Sequence, residues 1–199
     1  MKAPALAFAS LATAVAALSY SSTAHAIGPV DIEIAARGGY ATNPGSGANP
    51  YGFGIGGRAG VSIIGIYAGV SGMYYFGSTQ QASVGGVPVS SSPTTAMEGF
   101  EAGYTFKLSI LKIRPQVGVG NATFGGSGSV DVNGSSTSLS GSSSNLYVEP
   151  GALVMVMLGS TFFVGADVNA LILPSVADGT GTTTTYTSLS FHAQLGVQF

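Results

Sequence analysis

From Val30 onward, apolar and polar side chains take turns. Val30, Ile32, Ile34 and Ala36 fall on one face of an extended chain, and Asp31, Glu33 and Arg37 on the other. A period of two marks a β-strand whose faces meet different surroundings. The alternation recurs at Phe53, Ile55, Ala59 and Val61; at Ile66, Ala68, Val70, Tyr74 and Phe76; and at Phe100, Ala102, Tyr104 and Phe106. It continues at Leu111, Ile113, Val117 and Val119; at Leu146, Val148, Ala152, Val154, Val156 and Leu158; at Phe162, Val164, Ala166 and Val168; and at Leu189, Phe191, Ala193, Leu195, Val197 and Phe199. The pattern predicts eight strands, an even number.

Long and short connections alternate between these strands. Residues 41–50, 77–95, 125–144 and 174–185 are rich in Gly, Ser, Thr, Asn and Pro and are expected to be loops, whereas Ile64-Gly65, Leu108-Ser109 and Gly159-Ser160 are tight turns. An up-and-down antiparallel sheet then carries every long loop at one end and every short turn at the other, as outer-membrane barrels do. The Gly/Ser-dominated stretch 125–144 is expected to be a solvated loop, because such a composition buries little apolar area against its ordering entropy. Short extensions through Ser129-Val130-Asp131-Val132 are the one structured alternative there.

The placement of charge decides which solvent the apolar face meets. Asp31, Glu33, Arg37, Arg58, Glu101, Lys107, Lys112, Arg114, Glu149 and Asp167 all take the face opposite the apolar one, five acidic and five basic. Glu98 is expected at the loop end of its strand, and Asp131 and Asp178 in loops. Only 7% of residues are charged, against about 25% in soluble domains. A soluble sandwich needs more charge on its outer surface than that. With lipid outside and an ion-paired lumen inside, both the scarcity and the placement follow, since Arg or Lys at the bilayer midplane costs about 2–4 kcal/mol. Closure into a barrel leaves no backbone edge facing hydrocarbon. Aromatics are expected at two levels: Tyr40, Phe53, Tyr74, Phe76 and Phe100 toward the loops, and Tyr104, Phe106, Phe162 and Phe199 toward the turns.

The remaining composition narrows the classes further. Lys2, the apolar stretch Ala3 to Leu18 and the Ala24-His25-Ala26 site predict a secretory signal peptide over residues 1–26, with the barrel domain over 27–199. No later run approaches the ~18 apolar residues of a spanning helix. The net charge of −2 with no basic run leaves no footprint for nucleic acid. Cysteine is absent, which excludes disulfides, thiolate metal sites and Cys nucleophiles.

The C-terminal stretch Leu189-Ser190-Phe191-His192-Ala193-Gln194-Leu195-Gly196-Val197-Gln198-Phe199 resembles the last strand of bacterial outer-membrane proteins. The chain from residue 27 on is similar to small barrels of the OmpX and OmpA-membrane-domain type. The resemblance implies an all-β fold, an eight-stranded antiparallel up-and-down transmembrane β-barrel in the bacterial outer membrane. It further implies lipid and lipopolysaccharide as surroundings and recognition of Leu195, Val197 and Phe199 by the barrel-assembly machinery. It departs from full-length OmpA in lacking a periplasmic domain after the last strand, so cell-wall tethering is not implied.

Candidate chemistry is sparse. Gly52-Phe53-Gly54-Ile55-Gly56-Gly57 matches the dinucleotide fingerprint, but its glycines lie inside a strand and no helix follows. They are expected to make room in the lumen for large side chains such as Tyr67 or Tyr75. His192 faces inward with Ser188, Ser190 and Gln194, so a Ser/His pair with Glu149 or Asp167 is the enzyme alternative, a lipid A acyl hydrolase or transferase. Inward glycines at 52, 54, 56, 60, 69, 99, 103, 118, 120, 151, 165 and 196 leave volume that Tyr67, Met73, Tyr75, Tyr147, Leu153, Met155 and Phe163 are expected to fill. A narrow pore, or an OmpW-like passage for small solutes, is the other alternative. The favoured reading is a non-enzymatic barrel, structural or surface-interacting through its loops, with no cofactor and no metal.

Overall fold

The computed structural model describes residues 30–43, 49–84, 87–132, 135–177 and 183–199. The signal peptide expected over 1–26 and Asp178 lie outside them. Ten strand segments follow one another: β1 (Val30–Ala41), β2 (Gly52–Ile63), β3 (Ile66–Tyr75), β4 (Gln80–Val84), β5 (Val87–Tyr104), β6 (Phe106–Leu108), β7 (Leu111–Val132), β8 (Ser135–Leu158), β9 (Phe162–Ala177) and β10 (Thr183–Gln198). β5 and β6 are one wall strand broken at Thr105, whose N–H turns to the Gly65 carbonyl at 2.7 Å. β4 pairs only with β5.

Eight wall strands remain. The order β5-β3-β2-β1-β10-β9-β8-β7 closes through the β5–β7 pairing, and every pair is antiparallel. Sequence neighbours are spatial neighbours throughout, the up-and-down order that short connections dictate. The seam between first and last strands is sealed to its end. Ile32 and Phe199 exchange both backbone hydrogen bonds, each 2.9 Å.

Strand parity separates the two faces cleanly. Ile32, Ile55, Val61, Val119, Val154, Val164, Leu189 and Leu195 point out and are exposed, while Glu33, Arg37, Arg58, Arg114 and Asp167 point in and are buried. An outward ring of aromatics runs across three strands at the loop end, where Phe191 faces Tyr40 and Tyr40 faces Phe53. Tyr104 and Phe106 stack edge-to-face at the turn end, ring centroids 4.9 Å apart. Phe100 departs from its expected level: it pairs with Val70, midway along β3, and so sits in the middle of the wall.

Two expected loops, 77–95 and 125–144, are largely strand instead, the first taken up by β4 and the start of β5. Residues 125–132 and 135–144 pair without interruption from Gly125↔Ser142 to Val132↔Ser135, and β5 joins them up to Val89↔Val130. Together with β4 they form a four-stranded sheet, β4-β5-β7-β8, standing above the ring. Gly/Ser-rich composition does not prevent this, because a ladder continued from a fixed wall needs no buried face. Each further pair closes no new loop and satisfies its own N–H and C=O groups. The connection expected over 174–185 shrinks likewise, with β9 reaching Ala177 and β10 starting at Thr183.

Two acidic residues are placed differently as a result. Asp131 lies within β7, paired with Ser136, rather than in a loop. The extension of β5 to Val87 puts Glu98 in the strand interior, paired with Gly72 and Asn121 and pointing outward.

Candidate functional site, the filled lumen

Strand parity sends the large lumen side chains inward, and glycines on facing strands receive them. A Cβ added at Gly60 would meet the Tyr67 ring at 2.5 Å, one at Gly54 the Tyr75 ring at 2.5 Å, and one at Gly196 would run into the Phe163 ring. Gly99 faces the Tyr147 hydroxyl at 2.5 Å in the same way, and Gly151 lies against the Asn169 side chain. These glycines are the seats of the bulky residues. The Gly52–Gly57 stretch serves this packing, with Gly54 under Tyr75 and Gly56 under Met73.

The filling is layered. Toward the loops, Tyr51, Met73, Tyr75, Met97, Tyr147, Leu171 and Leu173 form an apolar cluster, with Tyr51 edge-on to Tyr75 at 5.7 Å. Tyr51 lies just ahead of β2, and burial pushes its hydroxyl well above the usual phenol pKa. Toward the turns, Ala35, Leu153, Met155 and Phe163 form a second cluster.

A single chain of polar contacts crosses the lumen, starting from Tyr75 of the loop-end cluster. The Tyr75 hydroxyl lies 2.7 Å from His192 Nε2, and His192 Nδ1 lies 2.6 Å from Asp167. Asp167 also receives Arg37 Nη2 at 3.1 Å, Asn169 Nδ2 at 2.6 Å and Gln194 Nε2 at 3.0 Å. Arg37 continues to Glu101 at 3.0 Å, and Glu101 to Arg58 at 3.5 Å. Arg58 reaches Glu33 at 3.3 Å, and Glu33 takes a two-pronged contact from Arg114 at 3.1 and 2.7 Å. Arg114 and Arg58 both lie over the Tyr67 ring, 3.8 and 4.7 Å from its centre. Three arginines thus meet three carboxylates, and the chain ties β3, β10, β9, β1, β5, β2 and β7 together.

The other four lumen charges stand apart from this chain. Lys107 bonds Asp31 at 2.7 Å, half-exposed at the turn-end mouth. Lys112 donates to the Gln198 amide oxygen at 2.5 Å, and Glu149 accepts the Ser190 hydroxyl at 2.8 Å. Desolvating such charges is offset only where partners are close and numerous. That condition is best met on the Arg37–Asp167 side.

The Ser/His pair of the enzyme alternative is not assembled. Ser190 turns to Glu149, and His192 Nε2 is occupied by Tyr75. The Asp-His-Tyr row is 4% exposed or less at every member, and its tyrosine is part of the loop-end cluster. Among the described residues no cluster of His, Cys, Asp and Glu is placed to hold a metal ion. Sequence reasoning missed Tyr51, Met97, Leu171 and Leu173 as lumen residues. Leu171 and Leu173 share the parity of Asp167, a signal masked by Ile172, which makes both faces of that stretch apolar.

The family profile described as "Outer membrane protein beta-barrel domain" matches residues 4–199. No curated protein matches the sequence. Among solved structures, a major outer membrane protein from Thermus thermophilus is similar with TM-score 0.65 and 11% identity, covering 85% of this chain and 99% of that one. The N-terminal β-barrel domain of Pseudomonas aeruginosa OprF gives TM-score 0.51 and 15% identity, with coverage of 85% and 97%. Neisserial surface protein A gives TM-score 0.46 and 18% identity, with coverage of 85% and 96%.

Proposed function

The chain belongs to the outer membrane protein beta-barrel domain family, and from that premise we propose that it is a non-enzymatic barrel whose closed interior supports a sheet presented outside the membrane. The filled lumen carries this reading. Tyr67, Tyr75, Tyr147, Leu153, Met155 and Phe163 are all 2% exposed or less, so the glycine-lined volume that a solute path requires is occupied. What remains for contact with other molecules is the four-stranded extension. Its outer edges are unpaired among the described residues: β4 pairs only with β5, and β8 gains β9 as a neighbour only from Val148.

Structure and surface interaction are the roles such a body can serve. Lipopolysaccharide surrounds its wall in this reading. The alternating Leu195, Val197 and Phe199 act as the segment that the barrel-assembly machinery reads after export and removal of the leader before Ile27.

Removing 80–91, or joining Gly126 directly to Gly141, tests the role. The barrel is expected to assemble normally in both, while surface attachment of cells is lost. Planar-bilayer recording of the unaltered protein is expected to show no discrete conductance, and lipid A is expected to be unchanged by overexpression. Conductance sensitive to Arg58 substitution would favour the pore, and altered lipid A lost in His192→Ala would favour the enzyme.

A further inference from the structure

Short turns of membrane barrels ordinarily carry small polar residues into water. Two of the three here do not. Ile64, at the tip between β2 and β3, is 73% exposed, and Ile110, at the tip between β6 and β7, is 63% exposed. Both lie beyond the Tyr104–Phe106 stack, on the far side of the level at which an aromatic girdle normally marks the interface. The third turn, Gly159-Ser160-Thr161 between β8 and β9, is polar.

The backbone does not explain the isoleucine. Ile64 has φ +53° and is followed by Gly65 at φ +86°. This is the hairpin geometry that favours Asn, Asp or Gly and that β-branched residues rarely adopt. Its presence therefore calls for a favourable contact of the side chain itself.

The two tips are neighbours. Tyr104 pairs with Ile66, and Thr105 bonds the Gly65 carbonyl, so the β2–β3 and β6–β7 turns flank one corner of the barrel. Ile63, Ile66, Phe106 and Leu108, all exposed, join the tips to the outward wall. A recess of about 390 Å³ opens between the Ile64–Gly65 turn and residues 104–108. The apolar surface that meets lipid along the wall continues around the rim.

We infer that this corner is immersed in the leaflet on the turn side, so that Ile64, Leu108 and Ile110 contact phospholipid rather than water. The barrel then sits unevenly, deeper at the β2–β3 and β6–β7 turns than at the β8–β9 turn. Lys107, on the lumen side of this corner, keeps its ammonium on Asp31 and out of the lipid. Continuity with the membrane wall selects lipid over a protein partner as the occupant, because one surface serves both without a boundary.

The chain contains no tryptophan, so single Trp substitutions report on depth without background. Ile64→Trp, Ile110→Trp and Ser160→Trp are each refolded into phosphatidylcholine vesicles with and without bromine on the acyl chains. Ile110→Trp keeps the comparison available should the strained Ile64 site not accept the larger ring. Blue-shifted emission, strongly quenched by brominated lipid at 110 and 64 and at least twofold less at 160, is the expected result. Solvent-like emission at 110, quenched by aqueous acrylamide as efficiently as at 160, would overturn the inference and leave the rim to a periplasmic protein.

Discussion

The Tyr75 hydroxyl on β3 meets Nε2 of His192 on β10 at 2.7 Å, although two strands separate β3 from β10 in the ring. With Nδ1 turned to Asp167 at 2.6 Å, the tautomer protonated at Nδ1 leaves Nε2 to accept the phenol. The apolar cluster and the charged layer are joined at this contact. Tyr75→Phe is expected to cost about 1–3 kcal/mol, because a buried Nε2 loses its only donor. Nitrogen NMR of His192 checks the assignment: the unaltered protein should show Nε2 as a hydrogen-bonded acceptor and the variant an unbonded one.

Arg114 and Glu33 form the closest two-pronged pair in the lumen. Arg114→Met is expected to destabilise the barrel by about 3–5 kcal/mol, since Glu33 is left buried with the more distant Arg58 alone. Arg114→Met with Glu33→Leu should recover most of that loss, with Arg58 retaining Glu101. Urea unfolding in detergent micelles, followed by circular dichroism, measures both.

Gly60 has Tyr67 as its three nearest neighbours, all side-chain atoms within 2.6 Å of an added Cβ. Gly60→Ala is expected to cost about 1–3 kcal/mol by overpacking. In a Tyr67→Leu background the same change should cost much less, and the double-mutant cycle reads the difference as direct contact. A role for Gly60 in backbone conformation alone would give equal costs in both backgrounds.

Phe199 contributes two backbone bonds at the seam, and these do not depend on its ring. Phe199→Ala is therefore expected to refold in detergent with little loss of stability. In cells the same variant should accumulate unassembled, read as the fraction of heat-modifiable barrel on a gel. Equal assembly of the two proteins in cells would remove the assembly role proposed for the last strand.

The wall was legible in the sequence because its two faces meet opposite solvents. Lipid outside and ion pairs inside imprint period two on every strand, and Arg37, Arg58 and Arg114 mark the inner face unmistakably. Partners were not legible. Parity shows that His192 and Tyr75 both point inward, but not that their levels coincide, since shear between strands fixes height. The extension through 125–144 was hidden for a different reason. Its described side chains, at 125–129 and 140–144, are all at least partly exposed, so Gly and Ser carry no alternation there, and the pairing follows from the wall below. Glu98 lies in a strand interior for the same reason, since β5 runs back to Val87.

The central claim is that adjacent residues of one strand face lipid and lumen. Leu153 is buried and Val154 is 41% exposed, as are Leu171 at 0% and Leu195 at 60% on neighbouring strands. Methyl NMR in micelles doped with a nitroxide on the acyl chain tests it residue by residue. The account predicts strong broadening of Val154 and Leu195 with Leu153 and Leu171 left sharp. Equal broadening of Leu153 and Val154, or sharp Val154 beside broadened Leu153, would contradict it.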